Sequence, residues 1–352
     1  MNPAIKNVYS ALKNKKLDGL FVSSTPNTSY LTAIRSRDSF LLLSSKKNIY
    51  FTDSRYITEA KKYLKHCEIR KIDGAVFRAL FESCSALKLK RVGFEKKHLS
   101  FIGHEKLSKE FKGKIDLVPT QGIIEDLRMI KSADEIKKIK KATEITILAF
   151  NYLRDLIVPG KTELEIAGEL ERFIRLKGAN SSAFDIIVAS GPNTSFPHHL
   201  SSERKIKNHE LVLIDMGVDY LGYKSDLTRV FFLGKISTLV KEVYAIIKEA
   251  QAKAIKRIKA GVVAKTIDSQ ARNFIAEKGF AQAFSHSLGH GVGLEIHEAP
   301  GISPKSEDIL RQGMVFTVEP GIYLPGKFGI RIEDMVIVTK KGTDLISGSL
   351  NQ

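Results

Sequence analysis

At 352 residues and 43% hydrophobic content, the chain is long enough for about two well-buried domains. It has no run near the ~18 apolar residues that span a membrane, its start (MNPAIKNVYSALKNKK) lacks an apolar signal core, and two cysteines, Cys67 and Cys84, exclude a disulfide framework or thiolate metal site, so a reducing, cytoplasmic location is expected. The net charge of +17 is spread over lysines at helix-face spacings (EIKKIKK, KAIKRIKAG), which predicts a solvated basic surface and no specific nucleic-acid partner.

In chain order, LDGLFVSS and FLLLSS are apolar runs of strand length, and NIYF follows. Helical patterns in SRYITEAKKYL and AVFRALFESCSALK, then a strand-like RVGFE, complete an α/β N-terminal domain expected over residues 1–122. The stretch PTQGIIEDLRMIKSADE leads into a capping box, Ser132 with Glu135, that opens a long amphipathic helix ending before Pro159-Gly160. A second box, Thr162 with Glu165, opens the next helix. Beyond it, the strand-like FDIIVASG, ELVLIDMG, TRVFFLG, MVFTVEPG and IEDMVIVT alternate with helical stretches at 238–259 and 266–278. Residues 123–352 are therefore expected to form an α+β domain with mostly hairpin-connected strands.

Three segments of that domain carry chemistry. IDMGVDYLGYKSDLTR reads as a hairpin, and a two-residue turn centred between Tyr220 and Leu221 makes Asp215 the partner of Asp226 on a common face. Two carboxylates side by side in an apolar strand repel unless a cation binds or a proton is retained. HSLGHGVGLEIHEAP gathers His286, His290 and His297, and the glycines flanking His290 let the backbone approach a bound group. Leu294, where a third glycine would stand, weakens a dinucleotide reading. In MVFTVEPGIYLPGKFGIRIEDMVIV, a loop at Pro325-Gly326-Lys327 sets Leu324 opposite Phe328 and, five residues outward, Glu319 opposite Glu333. Arg331 shares the face of Glu333, in position to neutralise one of the glutamates, and such an ion pair is the alternative to a metal. Together, four carboxylates and one imidazole form an oxygen-rich set suited to two divalent ions, manganese, cobalt or zinc, whose default chemistry is hydrolysis.

The order Asp, Asp, His, Glu, Glu within GYKSDLTR, GHGVGLEIHE, VEPGIY and GIRIED resembles the pita-bread metallopeptidases, which include methionine aminopeptidase, aminopeptidase P and prolidase. LDGLFVSSTPNTSYLT and FTDSRYITEA resemble the creatinase-type N-terminal domain, which methionine aminopeptidases lack, so the proline-specific branch is implied. The resemblance implies a pita-bread catalytic domain over residues 123–352, with Asp226 and Glu333 shared by two metals, Asp215 on one, and His290 with Glu319 on the other. It further implies that His297 hydrogen-bonds the substrate carbonyl, that Glu319 carries a proton, and that His198 touches the peptide near the leaving proline. Spacing selects His198 over His199, which stands where many relatives have glycine. Substrates would be peptides with proline second, and a homodimer is implied.

Several prolidases of this kind carry an arginine just after the second histidine motif, fit to clamp a free carboxylate. Here HEAP is followed by Gly301 and Ile302, which leans the expectation toward an Xaa-Pro aminopeptidase, with an Xaa-Pro dipeptidase as the alternative and Arg331 as a substitute clamp. A metal-free creatinase or a non-enzymatic binding module of the same fold predicts loss of ligands, and all five are present.

Overall fold

Apolar alternation is what the backbone turns into sheet. In the computed structural model, which describes residues 3–350 apart from Ser36, Ala75 and Ser349, the N-terminal runs become β1 (Gly19–Val22), β2 (Ser39–Ser44), β3 (Ile49–Thr52), β4 (Glu68–Lys71), β5 (Arg91–Glu95) and β6 (Asp116–Thr120). They form one mixed sheet in the order β4-β3-β2-β1-β5-β6. Central β1 is buried on both faces: Leu20 and Val22 enter one apolar cluster and Phe21 another. A strand covered on both sides reads as a continuous apolar run, as GLFV does.

The chain divides into two compact units, residues 1–128 and 129–352. The division falls six residues beyond the expected 122/123 boundary, because Ile123 and Ile124 bury their side chains in the N-terminal core.

Both capping boxes form: Ser132 with Glu135 opens the helix Ala133–Leu153, and Thr162 with Glu165 opens Glu163–Leu176. The expected later helices are Thr238–Arg257 and Ala264–Glu277. No helix among the described residues is long and apolar enough to cross a membrane.

The strands of this unit are β7 (Ser181–Ser182), β8 (Ile187–Ser190), β9 (Leu211–Met216), β10 (Val218–Tyr220), β11 (Tyr223–Lys224) and β12 (Leu227–Phe232), then β13 (Gly289–Gly291), β14 (Glu298–Ile302), β15 (Val315–Val318), β16 (Gly321–Leu324), β17 (Phe328–Arg331), β18 (Asp334–Val338) and β19 (Thr343–Leu345). They form the sheets β12-β9-β8, β14-β13-β15-β18-β19 and β11-β10-β7, with β16 and β17 as a separate hairpin. Strand period sorts the core. Val315, Met335 and Ile337 join the cluster built on the helices Ala133–Leu153 and Glu163–Leu176, whereas Phe316, Val318, Val336 and Val338 join that of Thr238–Arg257 and Ala264–Glu277. A single bridge from Thr228 to Glu333 ties β12 to the start of β18.

One register differs from expectation. Asp215 pairs with Thr228, not Asp226, because the turn is centred on Leu221-Gly222, both at positive φ (52° and 88°). A two-residue hairpin turn of that kind needs φ > 0 at both positions, and a glycine there escapes the steric penalty that Tyr220 would meet. Shifting the centre by one residue moves the register by two, so Asp226 keeps its face and becomes a diagonal neighbour of Asp215. In the other hairpin Leu324 pairs with Phe328 as expected, and the pairs Gly321 with Arg331 and Val318 with Asp334 flank Glu319 and Glu333, which stand opposite each other.

Candidate metal centre

The two sheets meet at a row of side chains. Thr228 of β12 lies between Asp215 of β9 and Glu333 before β18, paired with both. From the other side, β13 brings His290, and Glu319 follows β15 with its amide donating to the Leu288 carbonyl at 2.8 Å. A Cβ on Gly289 would stand 1.9 Å from the Thr317 carbonyl oxygen, so only glycine permits the close approach that sets His290 beside Glu319.

One ligand atom each from Asp226, His290 and Glu333 lie within 4.8 Å of one another. His290 Nε2 is 3.5 Å from Asp226 Oδ2 and 3.3 Å from Glu319 Oε1. Its Nδ1 faces the Gly291 carbonyl at 3.2 Å, and a carbonyl only accepts. Nδ1 therefore carries the proton of the neutral ring, and Nε2 turns a lone pair toward two carboxylates.

Arg331 departs from expectation. Its ion pair goes to Asp215, Nη2 to Oδ2 at 2.6 Å, and not to Glu319 or Glu333. The rest of the guanidinium is held by the Tyr323 hydroxyl (2.6 Å), the Pro197 carbonyl (3.3 Å) and the Thr228 hydroxyl (3.0 Å). Thr228 explains the geometry: interposed in register between the two carboxylates, it accepts from Arg331 Nε and donates to Glu333 Oε2 at 2.7 Å.

One guanidinium does not offset four carboxylates. Burial, then the neighbouring charges of Glu333, Asp215 and Glu319, pushes Asp226 well above the usual carboxylate range. Glu333 moves the same way, by burial first and then by Glu319 and Asp215. Glu319 is pushed up to about 8 by burial, with Arg331 opposing and Asp215 adding to the shift. Burial and then His297 push His290 down to about 4. Asp215 Oδ1 is buried without a hydrogen-bond partner among the described residues. Repelling carboxylates, a bare imidazole nitrogen and an orphaned oxygen are the donor set that divalent cations satisfy.

His297 and His198 lie near each other beside the cluster. The exposed His297 ring stands edge-on to His290, centroids 4.2 Å apart. Its pKa is lowered by burial of its inner part and then by nearby His198. His198 is exposed in the loop after the short 3-10 turn Gly191–Ser195, while His199 turns away to Glu163, Nε2 to Oε2 at 2.8 Å. Sequence reasoning assigned no role to His286, Tyr323 or Thr228. His286 packs against Tyr323 at 5.6 Å between centroids, and its Nε2 is buried without a hydrogen-bond partner among the described residues. Its one signal in the sequence is membership of the histidine cluster; Thr228 and Tyr323 carry none.

Residues 137–340 match the family described as metallopeptidase family M24, and residues 5–130 match the Creatinase/Prolidase N-terminal domain. The chain is 39% identical to a Pyrococcus horikoshii Xaa-Pro dipeptidase, over 97% of this chain and 96% of that one. The solved Xaa-Pro dipeptidase from Bacillus anthracis superposes with a TM-score of 0.95 at 38% identity, covering 99% of this chain and 98% of that one. An X-Pro aminopeptidase from Thermotoga maritima superposes with a TM-score of 0.87 at 39% identity, covering 94% and 96%.

Proposed function

The chain belongs to metallopeptidase family M24, and from that premise we propose that it hydrolyses the Xaa-Pro bond of dipeptides using two divalent ions held by Asp215, Asp226, His290, Glu319 and Glu333. The observation that carries the metal assignment is the convergence of Asp226, His290 and Glu333 within 4.8 Å without enough cationic charge to balance them. Asp226 and Glu333 would serve both ions. A mostly oxygen donor set favours manganese, with cobalt or zinc as alternatives. When bound, such ions supply a water of lowered pKa and polarise the scissile carbonyl.

The protein's own groups do the rest. Glu319, beside His290 at the edge of the cluster, serves as the proton carrier. His297, exposed beside His290, donates a hydrogen bond to the scissile carbonyl and to the oxyanion it becomes. Arg331 fixes Asp215 and, through Thr228, Glu333. His198 makes no hydrogen bond among the described residues, which leaves its ring free to meet the prolyl end of the peptide.

The dipeptide preference is supported by the relatives named as Xaa-Pro dipeptidases along nearly the whole chain. One observation favours the aminopeptidase reading instead. Gly301 pairs with His290 across β13 and β14, and a Cβ there would meet nothing within 4 Å, which is room for a peptide continuing past proline. The metal-reconstituted enzyme, assayed on an Xaa-Pro dipeptide and an Xaa-Pro-Yaa tripeptide, separates them. A higher kcat/KM for the dipeptide is expected, and a clear preference for the tripeptide reverses the assignment.

A further inference from the structure

We propose that Glu163 is a positioning residue for His198, holding the substrate-facing loop 191–202 in its working shape; this rests on the reading that His198 touches the peptide. Glu163 is the first residue of its helix and is 0% exposed. Its Oε1 accepts from Ser190 N (2.8 Å), Ser190 Oγ (2.7 Å) and Asn193 Nδ2 (3.0 Å). Its Oε2 accepts from His199 Nε2 (2.8 Å), Ser202 N (3.1 Å) and Ser202 Oγ (2.6 Å). These donors lie at the two ends of one loop, Ser190 and Asn193 where it leaves β8 and His199 and Ser202 where it returns. Burial alone would raise the pKa of this carboxyl, yet the bonds from Ser202, His199, Ser190 and Asn193 outweigh it and hold the group ionised.

The far side of the loop is held by the β16–β17 hairpin. Arg331 Nη1 donates to the Pro197 carbonyl at 3.3 Å, and the Gly329 amide donates to Thr194 Oγ1 at 2.9 Å. A Cβ on Gly329 would lie 2.3 Å from the Thr194 carbonyl oxygen, so the hairpin approaches the loop as only glycine allows. His198 thus sits between two anchored neighbours, Pro197 tied to the guanidinium that holds Asp215 and His199 tied to Glu163. Fixing both neighbours restricts where an otherwise unbonded, exposed ring can point. Orientation of that kind is what a substrate-contacting group needs, and small misplacements are costly. An amide in Glu163→Gln keeps the volume but turns an NH2 toward three donors.

The test is a double-mutant cycle on the full-length, metal-reconstituted protein with an Xaa-Pro dipeptide, using Glu163→Gln, His198→Ala and both together. Glu163→Gln is expected to lower kcat/KM by ~10-fold or more, mainly through KM, with unchanged metal content. In the His198→Ala background the same change should cost less than about twofold, since the group it positions is gone. Equal losses in both backgrounds, or an unchanged KM, overturn the proposal. If His198→Ala alone leaves the kinetics unchanged, the reading of His198 is wrong and the proposal falls with it; a damaging His198→Ala with additive losses removes only the positioning role. Should Glu163→Gln fail to fold, Ser202→Ala, which removes one donor from Oε2, takes its place in the cycle with the same two outcomes.

Discussion

Glu163 and the cluster of Asp226, Glu319 and Glu333 bury carboxylates in the same unit, yet their acidities move in opposite directions. Glu163 is 0% exposed and its pKa falls, while Glu333 and Asp226, at 2% and 4% exposed, are pushed well up. Burial raises the pKa in every case. The difference lies in donors. Glu163 receives protein hydrogen bonds on both oxygens, whereas Glu333 accepts from Thr228 and Asp226 faces the bare nitrogen of His290. A buried carboxylate surrounded by donors is a structural anion; one surrounded by other carboxylates is a place for cations.

The strongest way to break this contrast is Asp226→Ala. If the proposed ligand set is right, it should abolish Xaa-Pro turnover in excess manganese. The metal-free variant should melt above metal-free wild type, since one repelling charge is gone. Glu163→Gln should instead lower the melting temperature with or without metal, because it strands buried donors. Retention of wild-type turnover by Asp226→Ala would falsify the ligand assignment.

A smaller effect is expected from His297→Ala. Turnover should fall about 100-fold, the scale of losing one oxyanion donor, with metal content preserved by elemental analysis. Loss of metal in that variant would make His297 a ligand instead.

The mildest test is pH. The folded-state pKa of Glu319, about 8, lies above its ordinary 4.5, so its contribution to metal-free stability is fully present below 4.5 and is lost as pH rises through about 8. Asp226 and Glu333 shift in the same direction. Glu163 is depressed, so its contribution is present above its ordinary 4.5 and is lost as pH falls. The melting-temperature gap between metal-loaded and metal-free protein should therefore widen from about 4.5 to about 8. A gap that narrows over this range would contradict the contrast.

Much of this was legible in the sequence because strand parity is robust. Asp215 and Asp226 share a face even though the turn lies one residue further on, since a two-residue register shift preserves the period of two. Both capping boxes were legible because they are local. What escaped depends on contacts between segments distant in the chain. Thr228 intervenes between Asp215 and Glu333, which hands Arg331 to Asp215. Glu163 reads as one acid in a capped first turn, and nothing near it announces that Ser190, His199 and Ser202 converge on it. The orphaned nitrogen of His286 likewise exists only once Tyr323 and Arg331 are packed beside it.

A single titration tests whether the acidic cluster is a two-ion catalytic site. Protein stripped with a chelator is reloaded stepwise with manganese, while bound metal per chain and Xaa-Pro dipeptide turnover are measured on the same samples. No turnover is expected in the stripped protein, with activity that rises on loading and saturates at two ions per chain. Full turnover by protein shown to be metal-free, or saturation of binding with no gain in activity, would contradict it.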